Sequence, residues 1–418
     1  MRRARQDVED LPLPFTGEGR GEGKSSLCDD LGAPAIPPHP ALSPEGRGID
    51  KAGESRLFTL GPLIAALLLL AACAAPGRGD YAALVAATAA PQPVTPHLTQ
   101  SAIVMPDGAR LPLRIWLPKG RVKAVVLALH GFNDYSNAFA IPGEALAWRG
   151  IATYAYDQRG FGEAPLRGRW PGRWQLAKDL VTASRLVRAA HPGVPLYLLG
   201  ESMGGAVVTV AMTGEAGTPR PAADGVILVA PAVWGWETMG LIERSALWAG
   251  IHFLPAMEVT GAGIIKLRPS DNIAMLRAYA KDPLVIKATR IDAIYGLVQL
   301  MEAALRSGPR LDVPLLYLYG ERDEIVPKEP TRMMIESLPA AARDRQCIAW
   351  YANGYHMLLR DLDSAVVIGD IASWIEAHGA PLPSGADRYA ADLLGGPRFA
   401  RAAPATARSR LPTAPPLR

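Results

Sequence analysis

One segment indicates the fold more clearly than any other: Leu196-Tyr197-Leu198-Leu199-Gly200-Glu201-Ser202-Met203-Gly204-Gly205. It opens with four residues typical of a strand buried on both faces, and a helix is expected from Met203 onward. A serine between glycines at such a strand-to-helix junction is the pattern of a nucleophile elbow, a tight turn that exposes a hydroxyl. Glycines are needed there because a side chain would collide with the turn. We therefore predict that Ser202 is a nucleophile.

The rest of the chain body alternates strands with helices after a hairpin whose turn is Asp107-Gly108. Short apolar runs predict buried strands at Ala124–Leu129, Ile151–Tyr156, Leu196–Leu199, Val226–Val229, Leu315–Tyr319 and Cys347–Tyr351. Helices are predicted at Ile141–Arg149, Trp174–Ala190, Met203–Met212 and Glu329–Leu338. The alternation predicts an α/β fold with a mostly parallel sheet flanked by helices on both faces. Because ligands bind beyond the carboxyl ends of such strands, we expect the chemistry in the loops that follow them.

A serine nucleophile needs a base, and the base needs a carboxylate that orients it. Of the seven histidines, His356 lies just beyond the last predicted strand, at the correct end of the sheet. Asp323 follows the preceding predicted strand, which gives the chain order serine, acid, histidine that this fold requires. We predict the catalytic residues Ser202, Asp323 and His356, with Glu321 and Glu324 as alternative acids.

An oxyanion hole requires two backbone amides near the nucleophile. The amide of Met203, at the start of a helix, points toward developing negative charge. In this architecture the second donor comes from the loop after an early strand. That loop contains Phe132, whose amide is our candidate, and His130, which we expect to brace the loop. Asp157, after the next strand, is also interpreted as a loop brace.

Together these motifs resemble the α/β-hydrolase superfamily, and within it the monoacylglycerol lipase and lysophospholipase branch (serine aminopeptidase S33-type hydrolases). The matching motifs are H-G-F, D-x-R-G-F-G, G-x-S-M-G-G, G-x-x-D-x-I-V-P and G-Y-H, over roughly residues 101–378. The resemblance implies ester hydrolysis through a covalent acyl-serine, with no metal or organic cofactor. Two positions depart from it: Glu201 stands where this branch usually has His, and Glu163-Ala164-Pro165 stands where it commonly has Ser.

An insert at about 233–312 is expected to form a helical cap over the serine. It is strongly apolar, and most of its large side chains are expected to pack the cap onto the core: Trp234, Trp236, Met239, Leu241, Ile242, Leu247, Trp248, Ile251, Phe253 and Leu254. Such a cap suits an acyl chain better than a sugar or a peptide. Burying a CH₂ group contributes roughly 0.8 kcal/mol, so an eight-carbon acyl group contributes about 6 kcal/mol. The predicted substrate is therefore a small-molecule lipid ester.

Other functions remain open on the sequence alone. An acyltransferase or a cofactor-free haloperoxidase could use the same triad, because an alcohol or a peroxide can replace water. A non-catalytic binding lipoprotein on a hydrolase scaffold is a further alternative. An epoxide hydrolase or dehalogenase would need Asp in place of Ser202. The formal net charge of +4 over 418 residues argues against nucleic acid as a partner.

The N-terminal region predicts a membrane anchor. Residues 57–75 contain an apolar run shorter than the about 20 residues of a spanning helix, and the run ends in small residues before Cys73. This resembles a bacterial lipoprotein signal with Cys73 as the lipidated N-terminus. An uncleaved anchor and a buried helix are the alternatives. The predicted localisation is therefore the bacterial cell envelope, with the protein anchored to a membrane and facing the periplasm. Ala74 resembles the pattern sorted to the outer membrane.

The remaining boundaries follow from composition. Residues 1–56 are rich in Gly, Pro and charge, which indicates either a disordered leader or translation from a start placed too far upstream. Residues 76–100 are predicted to be a linker, 101–378 the hydrolase domain and 379–418 a disordered tail. Three cysteines in the whole chain argue against both a disulfide framework and a zinc cluster.

Overall fold

The computed structural model describes residues 94–215, 217–260 and 267–395. The strands are β1 (His97–Leu98), β2 (Ala102–Val104), β3 (Arg110–Trp116), β4 (Ala124–Leu129), β5 (Ile151–Tyr156), β6 (Leu196–Glu201), β7 (Gly225–Val229), β8 (Glu258–Thr260), β9 (Ala288–Arg290), β10 (Leu315–Gly320) and β11 (Gln346–Tyr351). The helices are α1 (Ala140–Trp148), α2 (Arg173–Ala190), α3 (Met203–Met212), α4 (Leu241–Phe253), α5 (Ile273–Lys281), α6 (Ile291–Ser307), α7 (Lys328–Ser337), α8 (Ser364–Glu376) and α9 (Ala386–Leu393). The predicted leader 1–56 and the segment 57–75 with Cys73 lie outside these residues.

One sheet dominates the described residues, with nine strands in the order β1-β2-β3-β5-β4-β6-β7-β10-β11. Strands β5, β4, β6, β7, β10 and β11 run parallel to one another. The pairs β1–β2, β2–β3 and β3–β5 are antiparallel. All six strands predicted from apolar runs belong to the parallel part. The predicted mostly parallel α/β sheet is therefore confirmed.

The core lies on both faces of this sheet, and β4 illustrates why. Its alternate residues Val125 and Leu127 join one apolar cluster, which includes side chains of α2, α3 and α6. The intervening Val126 and Ala128 join a second cluster with side chains of α1 and α8. A strand whose two faces are both covered by helices must be apolar throughout, which explains the uninterrupted runs in the sequence.

The insert between β7 and β10 differs in part from the predicted helical cap at 233–312. It contains α4 and α5, but also an antiparallel ribbon in which β8 pairs with β9. Its last helix, α6, packs against α3 and has ten buried residues, so it belongs to the helical layer of the sheet. The three-residue strands were too short and too polar to be predicted from periodicity.

The apolar residues of the cap also differ from the expectation that most of them pack inward. Trp234, Trp236, Met239 and Leu247 are partly buried against the core. No residue of α4 is fully buried, and Leu241 and Ile242 at its start are 77% and 83% exposed. Trp248, Phe253 and Leu254 are exposed as well. The cap therefore presents an apolar outer surface.

The predicted disordered tail begins too early. Residues 379–395 continue the fold, and α9 packs against β11. Ala386 and Ala390 of α9 and Leu394 directly after it are buried and recur at intervals of four, so they form one apolar face of the helix. Leu382, just before the helix, is buried as well. Composition alone concealed this face because the region is also rich in Pro and Arg. Residues 396–418 lie outside the described part of the chain.

The predicted linker at 76–100 also needs correction at its end. His97 and Leu98 form β1 and pair with Val104 and Ile103 of β2. A two-residue strand carries no periodicity from which it could be predicted. Residues 76–93 of the linker lie outside the described residues. In the part of the chain that the structure describes, no helix is both long and apolar enough to cross a bilayer.

Candidate active site

Ser202 occupies a strained turn between β6 and α3. Its backbone φ is +52° and its ψ is −116°, a conformation that residues other than glycine rarely adopt. The Ser202 amide donates to the carbonyl of Val229 at 2.9 Å, which fixes the turn against β7. A Cβ atom on Gly204 would lie 2.1 Å from the carbonyl oxygen of Leu129, so the helix start approaches β4 too closely for any side chain. The geometry is that of the predicted elbow.

Asp323 and His356 meet at the same edge of the sheet, in the loops that follow the neighbouring strands β10 and β11. The His356 Nδ1 atom lies 2.8 Å from Asp323 Oδ2, and both side chains are buried. The other oxygen of Asp323 accepts the backbone amides of Ile325 and Val326 at 2.8 and 2.9 Å. The carboxylate is therefore held on both sides, and it orients the imidazole so that Nε2 is left for proton transfer.

Burial by itself lowers the pKa of His356, because it disfavours the charged imidazolium. The negative charge of Asp323 and its hydrogen bond oppose this effect, and the charge of Glu201 adds to theirs. The resulting pKa of His356 lies above the ordinary value of 6.5. A base with a raised pKa accepts a proton more readily, as general-base chemistry requires.

The loop with the proposed oxyanion donor Phe132 passes directly over the elbow. A Cβ atom on the preceding Gly131 would lie 3.3 Å from Ser202 Cβ. The Phe132 ring packs edge-on against Phe161 at 5.6 Å between centroids. Met203, the second predicted donor, begins α3 and is completely buried.

His130 and Asp157 make the contacts expected of loop braces. The His130 Nε2 atom accepts the Gln158 amide at 2.9 Å, so its Nδ1 donates to the Gly131 carbonyl at 2.8 Å. Both ring nitrogens are therefore engaged with backbone groups, and burial lowers the pKa of His130. Asp157 accepts the amides of Ser136 and Glu163 at 2.9 and 2.8 Å.

The alternative acids Glu321 and Glu324 have other partners. Glu321 forms an ion pair with Lys328 and accepts a hydrogen bond from the Trp350 indole. Glu324 accepts the backbone amide of Arg268 at 2.7 Å. Asp323 is the acid that the structure brings to His356.

One group near the site was missed by the sequence reasoning. Arg360, four residues after His356, is buried and pairs with Asp134 at 2.8 Å and with Glu201 at 3.2 Å. In the sequence, Glu201 stands out only as a departure from the family motif. The sequence does contain a signal for this ion pair. It has an arginine at the end of the apolar run after His356 and an acid in the elbow. Only the fold shows that they meet.

A parallel sheet of this order, an elbow at Ser202 and an Asp323–His356 pair in the last two loops define an α/β hydrolase. The sequence model of the family described as "Serine aminopeptidase, S33" matches residues 120–363. That is more than half of the chain, and the chain belongs to this family.

Its relatives include monoglyceride and monoacylglycerol lipases. The monoglyceride lipase of Mus musculus is 27% identical over 300 residues, which cover 69% of this chain and 93% of that protein. The monoacylglycerol lipase of Mycolicibacterium smegmatis is 24% identical over 276 residues, which cover 65% and 94%. The crystal structure of Paleococcus ferrophilus monoacylglycerol lipase matches with a TM-score of 0.54 at 21% identity, over 64% of this chain and 99% of that one. The predicted superfamily and its monoacylglycerol lipase-like branch are confirmed.

We predict that kcat/KM for an ester falls with decreasing pH through a pKa above 6.5, because only neutral His356 can accept a proton. Asp323→Asn removes the charge that raises this pKa, so the acid limb of the profile should move to lower pH. By analogy with serine proteases, kcat should fall by about 10⁴-fold. Glu324→Gln, in the same loop, is the control and should keep the wild-type limb. An acid limb that stays at the wild-type pH in Asp323→Asn would contradict the assignment of Asp323 as the acid partner of His356.

Proposed function

We propose that the protein is a serine hydrolase that cleaves carboxylic esters of lipid type, a monoacylglycerol or a lysophospholipid, through an acyl-serine intermediate. The observation that carries the proposal is the buried contact of 2.8 Å between His356 and Asp323, at the sheet edge where the strained Ser202 turn also lies. This combination of a nucleophile, a base and an orienting acid is what acyl transfer requires.

The reaction proceeds in two halves. The His356 Nε2 atom takes the Ser202 proton as Oγ attacks the ester carbonyl, and Asp323 stabilises the imidazolium that forms. The amides of Phe132 and Met203 donate hydrogen bonds to the tetrahedral oxyanion. Collapse of this intermediate passes the proton to the leaving alcohol and leaves the acyl-serine. Water then gives a proton to His356 and attacks the acyl carbon, and a second collapse releases the acid and restores the Ser202 hydroxyl.

Two observations support a lipid substrate. Relatives that share most of their length with this chain are named monoglyceride lipases. The cap also exposes several large apolar side chains on α4, among them Leu241, Ile242 and Trp248, which polar substrates would not need. Apolar surface of this kind gains free energy in contact with acyl chains, at roughly 25 cal/mol per Å² removed from water.

Hydrolysis of aryl esters from two to sixteen carbons tests the substrate class. We expect an optimum at medium or long acyl chains in the wild type, and no hydrolysis by folded Ser202→Ala. Circular dichroism shows whether that variant is folded, and full activity in it would refute the nucleophile. A rate highest on acetyl esters would reject the lipid substrate.

The products distinguish the remaining alternatives. Transfer of the acyl group to added glycerol in preference to water would indicate an acyltransferase, and peroxyacid formation with added peroxide would indicate a haloperoxidase. A wild type that neither hydrolyses an ester nor reacts with a serine-directed phosphonate would indicate a binding protein.

The cap surface gives a second test of the lipid substrate. Ile242→Lys places a charge on an 83% exposed apolar site, so it should lower activity on monoacylglycerol in micelles while activity on a monomeric soluble ester stays unchanged. Met333→Lys is the matched control, because Met333 on α7 is also exposed, at 44%, and lies outside the cap. Equal loss on both substrates in Ile242→Lys would contradict a role of this surface.

We further propose that the protein is a lipoprotein of the bacterial cell envelope, anchored by Cys73 with the hydrolase domain in the periplasm and sorted to the outer membrane. The lipobox-like residues before Cys73 support this proposal. Peptide mapping of the membrane fraction should find a lipidated Cys73 at the N-terminus. Cys73→Ser should abolish lipidation, whereas Cys28→Ser should not. A peptide from residues 1–56 in the mature protein would contradict the cleavage.

A further inference from the structure

The side chain of Arg360 connects the loop that carries His356 with the oxyanion loop and with the elbow. Its guanidinium pairs with Asp134, in the loop that follows β4 and contains Phe132, and with Glu201, directly before Ser202. The side chains of Arg360, Asp134 and Glu201 are only 9%, 4% and 2% exposed. Arg360 itself lies in the loop that carries His356. One cation therefore touches the oxyanion loop, the elbow and the base loop in the interior of the protein.

The cap meets the same residue. The Arg360 guanidinium lies 5.6 Å from the centroid of the Tyr279 ring of α5, a cation–π distance. The Arg360 carbonyl accepts a hydrogen bond from the Asn272 side chain at 3.0 Å, and Asn272 also caps α5. The guanidinium is thus enclosed on one side by the two carboxylates and on another by the base of the cap.

Such a cluster needs all its members. Two buried carboxylates would repel each other, and each would remain costly to bury without the cation. Burial raises the pKa of Glu201, and the charge of Arg360 is the main effect that opposes it. A guanidinium can serve both acids because its donors form a rigid planar fork, which an ammonium group lacks.

We propose that Arg360 is a positioning residue that fixes the elbow and the oxyanion loop relative to His356 through Glu201 and Asp134. The inference rests on the proposed serine hydrolase function. The ion-pair partners of Arg360 are Asp134 and Glu201 rather than Ser202 or His356, so it acts through the backbone segments that carry the reacting groups. On the elbow, the residue that contacts Arg360 is Glu201, at a position where the related branch usually has His.

The cluster also acts on the base electrostatically. The charged groups that face His356 are Asp323 and Glu201, which raise its pKa, and Arg360, which lowers it. Glu201→Gln keeps the shape of the side chain and removes one negative charge. The pKa of His356 then falls, so the acid limb of kcat/KM moves to lower pH. A role of Glu201 in packing alone would leave this limb where it is.

The test combines Arg360→Lys and Glu201→Gln with the full-length wild type. Arg360→Lys retains the charge but not the fork, and a small displacement of reacting groups can cost about 100-fold in rate. We expect kcat and the rate of Ser202 labelling by a phosphonate to fall by up to this factor, with KM unchanged and the acid limb in place. Glu201→Gln should shift the limb. Phosphonate titration counts the active sites, so unfolded protein does not enter kcat.

Arg159→Lys is the matched control. Arg159 is also buried, and it pairs with Asp179 at 2.6 Å and with Asp107 at 2.7 Å. Neither partner belongs to the cluster around Arg360. Arg159→Lys should lower the melting temperature while kcat per active site and the acid limb stay unchanged. A wild-type kcat in Arg360→Lys together with an unmoved limb in Glu201→Gln would overturn the proposal, as would equal kcat losses in Arg360→Lys and Arg159→Lys.

Failure of the proposed function would look different. A wild type that is labelled at Ser202 but hydrolyses no ester would refute hydrolysis, and the labelling rates of the variants would still decide the role of Arg360. If Arg360→Lys does not fold, the Glu201→Gln variant decides it, because Glu201 is the elbow's partner of Arg360. A wild-type rate of Ser202 labelling in that variant would overturn the positioning role.

Discussion

The site depends on one unfavourable backbone conformation, the left-handed turn at Ser202. A non-glycine residue in such a region costs on the order of 1–3 kcal/mol and persists only where its surroundings fix it. Here the Ser202 amide is bound to Val229 of β7, its carbonyl accepts the Ala232 amide, and Gly204 lies against the carbonyl of Leu129. The turn is therefore held by β7, by the loop that follows β7 and by the end of β4.

The parallel register supplies the rest of the geometry. Because β10 and β11 pair residue for residue up to Gly320 and Tyr351, the loops that follow them begin side by side. Asp323 needs only three further residues, and His356 five, to bring their side chains together. The carboxylate is buried but accepts two backbone amides, so it remains a strong acceptor for the imidazole. Sheet pairing thus converts residues far apart in sequence into one proton-transfer unit.

The cap is bound to the catalytic loops rather than resting on them. Asn133 donates to Thr289 of β9 at 2.7 Å, and the Ile286 amide donates to the Asn133 carbonyl at 2.9 Å. On the other side, Met357 donates to the Pro269 carbonyl at 2.9 Å, next to His356. The cap is therefore connected to the loops on both sides of the nucleophile.

The six parallel strands, the elbow and the candidate triad could be predicted from the amino-acid sequence, because buried parallel strands must be apolar throughout and the elbow requires its glycines. The sequence did not determine the short ribbon β8–β9, the helix α9 or the exposure of α4, since these depend on which surfaces neighbouring elements cover. Nor did it give the cluster of Arg360, Glu201 and Asp134. Glu201 lies 159 positions before Arg360 in the sequence, and Asp134 lies 226 positions before it. Separations of this size leave no periodic pattern in the sequence, so the pairing of these buried charges depends on the tertiary structure.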